Sequence, residues 1–483
     1  MTSIGNKRYL SLASSNDGSA GVFGGAGLAT AGPTQIRFEV SNEGLLQTPE
    51  LRFQGTLRIR RLAATGAGGV GGGATVAGAQ LSLIAGASTQ DVNINAMCGT
   101  QSLIDSIEIG SRINSTRSIE KIQNYGQLAS SMMSAVHSKT GYDCQLSHEQ
   151  QSRGVGFSTP SSDFRGAQAT PGGLAYTDYS KAADTTANQI LSARRELCQT
   201  GGRGFDQRLV AGMFMGQAAI DLEAVGGLAI TINLAPPSQV LAGANAALYT
   251  YDIVNPRLVV PVVEKSPQQQ MALAQQPTSR MEFLTYQSLY STVSSTSQQL
   301  VSRVSYQGLV STFTHFLPVN HLQTFARDSY GQYNPGLVNL TFLKDGKRAP
   351  LEYQLLPVTV PPGGAANQAA QPSYLAAESW QYLDSFRNTR DITKSLINPL
   401  ISGYSQQTGA PGTNSAVFGV GCSFDDVSHV GVDASASTLG FELTSTLDDP
   451  VNRGQTTPFA AFTFLLVRTV VMTDRQGGVQ VMT

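Results

Sequence analysis

The chain has 483 residues and a formal net charge of −1, so no bulk electrostatic attraction to nucleic acid or to an anionic membrane is built into it. Only 13% of its residues are charged, against about 25% in ordinary globular chains. Ser, Thr, Gln, Asn and Gly fill the polar positions instead, a surface that suits a protein covered by copies of itself and that secreted β-proteins also show.

Residues 1–33 are rich in Gly, Ala and Ser. They cannot bury a core of their own, which predicts a flexible arm. Strands follow. Ile36, Phe38 and Val40 alternate with Arg37, Glu39 and Ser41. Leu51, Phe53, Leu57 and Ile59 alternate with Arg52, Gln54, Thr56, Arg58 and Arg60. This period of two predicts one buried and one wet face. The arginines lack interleaved aromatic residues, so they read as a solvated or intersubunit strand face rather than a nucleic-acid platform. Leu103–Ile109 reads as a strand, and Ile119, Ile122, Leu128, Met132 and Met133 fall on one face of an expected helix. Residues 137–200 read as a long polar loop. Strands are expected at Leu228–Leu234 and Leu248–Val263.

The Gln-rich stretch at 264–280, punctuated by Pro267 and Pro277, marks a domain boundary. Beyond it, Tyr290–Tyr306 and Gly308–Pro318 read as strands, with a helical piece around His321–Ser329. Asp345-Gly346 supplies the positive-φ pair of a two-residue hairpin turn. A Pro- and Gly-rich loop (357–373) leads into an expected helix carrying Leu375, Tyr382, Leu383 and Phe386. The last strands are expected at Val417–Phe424, Leu439–Leu443 and Phe459–Met472.

The two halves repeat one grammar. LIDSIEI aligns with GLVSTFTHFLP, GGLAITINL with STLGFELTSTL, and LYTYDIVNPRLVVPVV with FAAFTFLLVRTVVM, at a nearly constant offset. Such self-similarity predicts two copies of one β-rich unit. Many short strands with few helices fit a sandwich or jelly roll. The expected division is an arm at 1–33, a first unit at 34–264, a linker at 265–280 and a second unit at 281–483.

Chemistry-bearing motifs are scarce. Gly66, Gly68 and Gly71 of GAGGVGGG fit G-x-G-x-x-G, with Asp91 downstream. A dinucleotide site needs a helix directly after the glycines. Here a β-like LSLI follows, and the chain holds 50 glycines. The stretch reads as a mobile loop, and no cofactor is assigned. Asp425, Asp426, His429 and Asp433 form the densest acid and His cluster, but a turn between strands uses the same residue types. No metal ligands are assigned. Cys98, Cys144, Cys198 and Cys422 form no C-x-x-C pair, which argues against zinc and disulfides and for free thiols in a reducing compartment. Neither H-E-x-x-H nor G-x-S-x-G occurs, so no catalytic residues are assigned. The N-terminal MTSIGNKRYLSLASSNDG lacks the apolar core of a signal peptide. The apolar run Phe459–Met472 falls short of the ~20 residues of a membrane span and carries Arg468. The sequons at Asn114 and Asn339 are expected to be chance.

Several stretches carry a resemblance. SLIDSIEIGSRINSTRSIEKIQNYGQL, with Asn124 and Tyr125 at the head of its helix, is one. FLKDGKRAPLEYQL, HVGVDASASTLGFELTSTL and the terminal LLVRTVVMTDRQGGVQVM are the others. In order and spacing the chain resembles the double jelly-roll major capsid proteins of the adenovirus, virophage and giant-virus lineage over residues 35 to 483. The resemblance implies an all-β fold with minor helical insertions, built as two tandem eight-stranded jelly rolls. It implies homotrimers of pseudo-hexagonal outline that tile an icosahedral shell around the genome, in the virion of a DNA virus. Its implied partners are further copies of the chain, penton and minor capsid proteins and an internal membrane, with no sequence-specific nucleic-acid binding. Residues 137–200 and 350–373 would supply towers and trimer contacts. Many relatives with large shells are longer, so these towers would be small. The alternative is a secreted or cell-surface β-sandwich, an adhesin or carbohydrate-binding protein, against which the single Trp counts. Neither reading is an enzyme.

Overall fold

The computed structural model describes residues 7–16, 22–24, 34–61, 93–94, 98–113, 118–136, 202–215, 219–242, 249–275, 278–322, 329–330, 335–354, 419–424, 431–447, 455–474 and 478–482. The strands before residue 264 are β1 (Lys7–Ala13), β2 (Val22–Gly24), β3 (Gln35–Val40), β4 (Leu45–Gln47), β5 (Arg52–Arg61), β6 (Asn93–Ile94), β7 (Ile104–Ser111), β8 (Ser118–Ile122), β9 (Arg203–Arg208), β10 (Ala219–Asp221), β11 (Leu228–Leu234), β12 (Leu241–Ala242) and β13 (Tyr249–Val263). Those after it are β14 (Thr278–Val293), β15 (Ser297–Arg303), β16 (Tyr306–Pro318), β17 (Leu337–Lys344), β18 (Lys347–Gln354), β19 (Gly419–Ser423), β20 (Val432–Ala434), β21 (Thr438–Ser445), β22 (Phe459–Asp474) and β23 (Val479–Met482). Helix α1 (Tyr125–Val136) follows β8, and α2 (Pro267–Ala274) separates the two sets.

Each set forms two facing antiparallel sheets, the first set adding a two-stranded β6–β12 pair, and no strand is shared between the sets. The large sheets run β1-β13-β5-β9 and β14-β22-β16-β19, and the small ones β3-β11-β7-β8 and β15-β21-β17-β18. In all four, the strands taken in chain order lie first, fourth, second, third. That permutation in two facing sheets of eight strands is the jelly roll. The sandwich interiors are aromatic. Phe38 of the small sheet meets Phe53 of the large one edge-on at 6.0 Å, and Phe316 meets Phe441 at 6.2 Å.

The repeat is real, with one strand pair differing. β11 and β21 occupy the same place, as do β13 and β22, matching two of the three sequence alignments. The third fails. β7 corresponds by position to β17, and β16 corresponds to β5. Both are short apolar runs, and period-two patterning alone cannot say which sheet a strand joins.

Other boundaries also differ. Lys7–Ala13 lies within the expected arm, yet it pairs with β13 from Lys7↔Val263 to Ala13↔Arg257. Leu10 and Leu12 pack on the core from this strand. Within the expected linker, Pro267–Ala274 is helical and β14 already starts at Thr278. Ser266 caps that helix reciprocally with Gln269. Residues 118–122, expected as helix, form strand β8, and α1 starts only at Tyr125. The expected single strand Tyr290–Tyr306 breaks between Val293 and Ser297, where Gln298 Oε1 accepts from the Ser294 and Ser295 amides. Residues 350–354 of the expected second tower lie in β18. The hairpin turn forms as read, with Asp345 at φ 53° and Gly346 at φ 71°.

Candidate functional site

The built feature of this molecule is the seam between its two jelly rolls. It starts from α1, whose first seven residues, Tyr125–Ser131, are all buried. A helix wet on one side would show a polar face. This one carries Gly126, Ala129, Ser130 and Ser131, small residues that let a second surface approach closely.

That surface is the outward face of the second unit's large sheet. Alternate residues of a strand point to opposite faces. Thr314 and Phe316 of β16 point inward, so Phe313 and His315 point outward. On β22, Thr463 bonds Thr314 inside, and Phe462 and Phe464 point out. His315 stacks on Phe462 at 5.4 Å and lies 5.7 Å from Phe464. Helix α1 covers this aromatic patch.

Polar bonds fix the register. Gln127 Nε2 donates to the Ser329 carbonyl at 2.5 Å, so its Oε1 is the acceptor for His315 Nε2–H at 2.9 Å. His315 Nδ1 is then left to accept from Ser131 Oγ at 3.0 Å. Burial holds this imidazole neutral, its pKa pushed down to about 3. Ser130 Oγ donates to the Tyr330 carbonyl, and Tyr330 OH donates back to the Ser102 carbonyl of the first unit. A Cβ on Gly126 would overlap the Tyr330 ring. The Asn124–Tyr125 pair sits at this junction. Asn124, at φ 52°, starts the helix with its carbonyl and donates from Nδ2 to Ser288 Oγ across the seam. Tyr125 OH donates to Gln101 Oε1 and accepts from the Val210 amide, both at 2.7 Å.

A second junction centres on Glu120 of β8, which is fully buried. Its Oε1 accepts from the Gly212 amide at 2.8 Å, and its Oε2 from the Met213 amide at 2.9 Å. Thr285 of β14 donates its hydroxyl from the other jelly roll. Burial pushes the carboxyl pKa up, and these three donors oppose the rise without cancelling it. Gly212 has to be glycine, since a Cβ there would run into the Leu284 carbonyl. The arrangement ties Glu120 to two backbone amides and one hydroxyl of the chain. It welds two sandwiches through one core, and the main buried cluster runs from Phe23 to Val479 through both.

The residues singled out in the sequence lie mostly elsewhere. Gly66, Gly68, Gly71 and Asp91 fall outside the described residues, as do Asp425, Asp426, His429, Cys144 and Cys198. Asp433 is exposed and accepts from the Ser435 amide at 2.9 Å, the bond of an Asx turn. The Cys98 thiol is buried and donates to the Gly126 carbonyl at 3.3 Å. Among the described residues, no three His, Cys, Asp or Glu side chains gather closely enough to share a metal ion. No described helix is long and apolar enough to cross a membrane. Sequence reasoning missed Glu120, Gly212, Gln127 and His315. The one available signal was the unbroken apolar character of β16 and β22, which an alternating, half-wet strand lacks.

No protein-family model and no curated protein sequence matches the chain. Solved structures do. A chain in the cryo-EM structure of the Sputnik virophage superposes with a TM-score of 0.55 at 12% identity, over 100% of this chain and 89% of that one. The Faustovirus major capsid protein gives 0.51 at 9%, over 97% and 90%. The mavirus major capsid protein gives 0.50 at 10%, over 98% and 89%. The chain is similar in fold, along nearly all its length, to these viral proteins, and that fold is the double jelly roll.

Proposed function

We propose that the protein is a viral major capsid protein that self-assembles as pseudo-hexameric homotrimers tiling an icosahedral shell around the genome. The observation that carries this reading is the seam. Two jelly rolls of one permutation are locked into a single rigid block by an aromatic face under helix α1 and a buried carboxyl group. A rigid two-sandwich block is a tile. Support comes from the fold shared with the mavirus and Faustovirus major capsid proteins over nearly the whole of each chain. We assign residues 7–263 and 278–482 to the two jelly rolls.

The role is structural rather than enzymatic. Further partners on this reading are penton and minor capsid proteins and an internal membrane beneath the shell. On this reading the chain assembles in a reducing intracellular compartment, in keeping with four widely spaced cysteines that form no C-x-x-C pair. The secreted β-sandwich reading is not favoured, because the fold likeness runs to double jelly-roll proteins rather than to single sandwiches. Light scattering and negative-stain microscopy of the purified chain test the proposal. Trimers that form hexagonal arrays are expected. A monomer at every concentration overturns it.

A further inference from the structure

The seam is not closed at the head of α1. A cavity of about 190 Å³ remains there, and both jelly rolls wall it. The first unit contributes Asp105 of β7, Asn124 at the start of α1 and Gln239 of the helical turn Pro237–Val240. The second contributes Tyr290 of β14, Leu322 and Phe462 of β22. The volume lies below the ~300–1,000 Å³ of sites that take drug-sized molecules, so a ligand here is small.

Asp105 gives the cavity its charge. It is the residue skipped where β7 pairs with β11, since Asn233 faces Ser106 and Leu234 faces Ile104. Ile104 and Ile107 are both buried, so this bulge leaves Asp105 and Ser106 together on the outer side. A bulge re-aims a side chain in this way. Among the described residues Asp105 accepts no hydrogen bond and forms no ion pair, and no Lys or Arg lines the cavity. The carboxyl meets water at the cavity mouth, yet the protein around it pushes its pKa up by desolvation. The head of α1 brings about half a positive charge to the same place, which does not cancel a whole carboxylate.

The neighbouring groups can also still bond. Asn124 bonds through Nδ2, to Ser288, which leaves its Oδ1 unbonded among the described residues. The Gln239 amide and the Tyr290 hydroxyl make no hydrogen bond there either. Tyr290 is 52% exposed and meets Phe462 edge-on at 5.4 Å, so two aromatic rings stand beside the carboxylate. Such rings favour a cation over their faces.

We propose that this cavity binds a small primary ammonium ion with a short apolar tail. Asp105 is its counter-charge, Asn124 Oδ1 and Gln239 Oε1 accept its remaining N–H groups, and the tail lies against Leu322 and Phe462. Three acceptors match the three donors of a primary ammonium group. A quaternary ammonium brings no donor, and a carboxylate meets the wrong charge. Both units wall the cavity, so a bound amine bridges them and stabilises the seam. The inference goes beyond the capsid reading and needs only one chain.

Saturation-transfer NMR of the full chain, titrated with n-butylammonium, tetramethylammonium or acetate, tests it. A ligand of so few atoms binds weakly even at a good site, and a dissociation constant on the order of 1 mM is expected for butylammonium. Asp105→Asn should weaken it by at least roughly tenfold, and Tyr290→Ser by about threefold. Glu442→Gln, on the exposed side of β21 in the second unit's small sheet, should leave it unchanged. Saturating butylammonium should raise the thermal midpoint of the wild-type chain and not that of Asp105→Asn. Equal binding of tetramethylammonium or acetate overturns the inference. So does undiminished binding to Asp105→Asn, or no butylammonium signal at all. If circular dichroism shows Asp105→Asn unfolded, undiminished binding to Tyr290→Ser overturns it instead. A chain that trimerises but ignores the amine removes this inference alone, and one that binds the amine but never trimerises removes the capsid reading alone.

Discussion

His315 shows how a single side chain ties the seam to pH. Its ordinary pKa near 6.5 is pushed down to about 3 by burial among Phe313, Phe462 and Phe464. Helix α1 presents Gln127 and Ser131 to it, neither of them charged. The folded state therefore binds fewer protons than the unfolded one. The stability this carries is complete above pH 6.5 and is lost as pH falls toward 3. The loss is about 1.4 kcal/mol per pH unit, hence roughly 2 kcal/mol by pH 5. Urea midpoints should fall between pH 7 and 5, and His315→Gln should flatten that slope while lowering the midpoint at pH 7. A slope unchanged by His315→Gln would put the acid sensitivity elsewhere. Glu120 runs the opposite way. Its raised pKa means stability is lost as pH rises above the ordinary carboxyl value near 4.5. Glu120→Ala removes the acceptor of two amides and the Thr285 hydroxyl. Leaving such donors buried and unpaired costs about 1–3 kcal/mol each before relaxation, so a total loss of at least about 2 kcal/mol is expected. Glu120→Gln keeps one acceptor oxygen and should lose less. Equal midpoints for the two variants would show that water replaces the carboxyl. Neither residue was legible in the sequence. A lone Glu in SIEKI and a lone His in STFTHFLP look like any strand residue until the opposite surface is known.

At the scale of elements, what could be read depended on which faces meet water. β5 announced itself by alternation because its outward face carries Arg52 and Arg58, and its inward face Phe53, Leu57 and Ile59. β16 and β22 are buried on both sides, so their apolar runs identified strands but hid the docking face. β1 was missed because KRYLSLA lies in a Gly- and Ser-rich segment. Its stability comes from pairing with β13 across the chain, which local composition does not report. β8 was read as helix because Ile119 and Ile122 are also spaced for a helical stripe. The β17–β18 hairpin was legible to the residue, since its turn is local chemistry. Gly346 there, at φ 71°, has open space where a Cβ would go. Gly346→Ala should therefore cost only the backbone penalty, about 1–2 kcal/mol. Thermal denaturation checks this. A loss well above that range would mean that the turn touches more than itself.

Over the whole molecule, the composition and the repeat were legible, and the weld between the repeats was not. Constant spacing declares two copies. It cannot say whether they are beads on a string or one body. The buried cluster decides for one body, since it includes Phe53 and Ile107 of the first unit together with Phe316, Phe464 and Val471 of the second. Separating the units would expose the Phe313, His315, Phe462 and Phe464 face and take the Thr285 hydroxyl away from Glu120. That cost couples the unfolding of each unit to the other. The full chain at pH 7, examined below its assembly concentration, should give one calorimetric transition whose van't Hoff and calorimetric enthalpies agree. Gly126→Val drives a branched side chain into the Tyr330 ring and should weaken the seam without touching either sandwich interior. If the seam supplies the coupling, this variant should split the transition in two. The second unit should then melt with exposed aromatic surface that binds a hydrophobic dye, while the first, whose corresponding face is ion-paired, should not. Two transitions in the wild-type chain would mean that the units are coupled only through residues 264–277, and a tile held by a tether would be too loose to set the curvature of a shell.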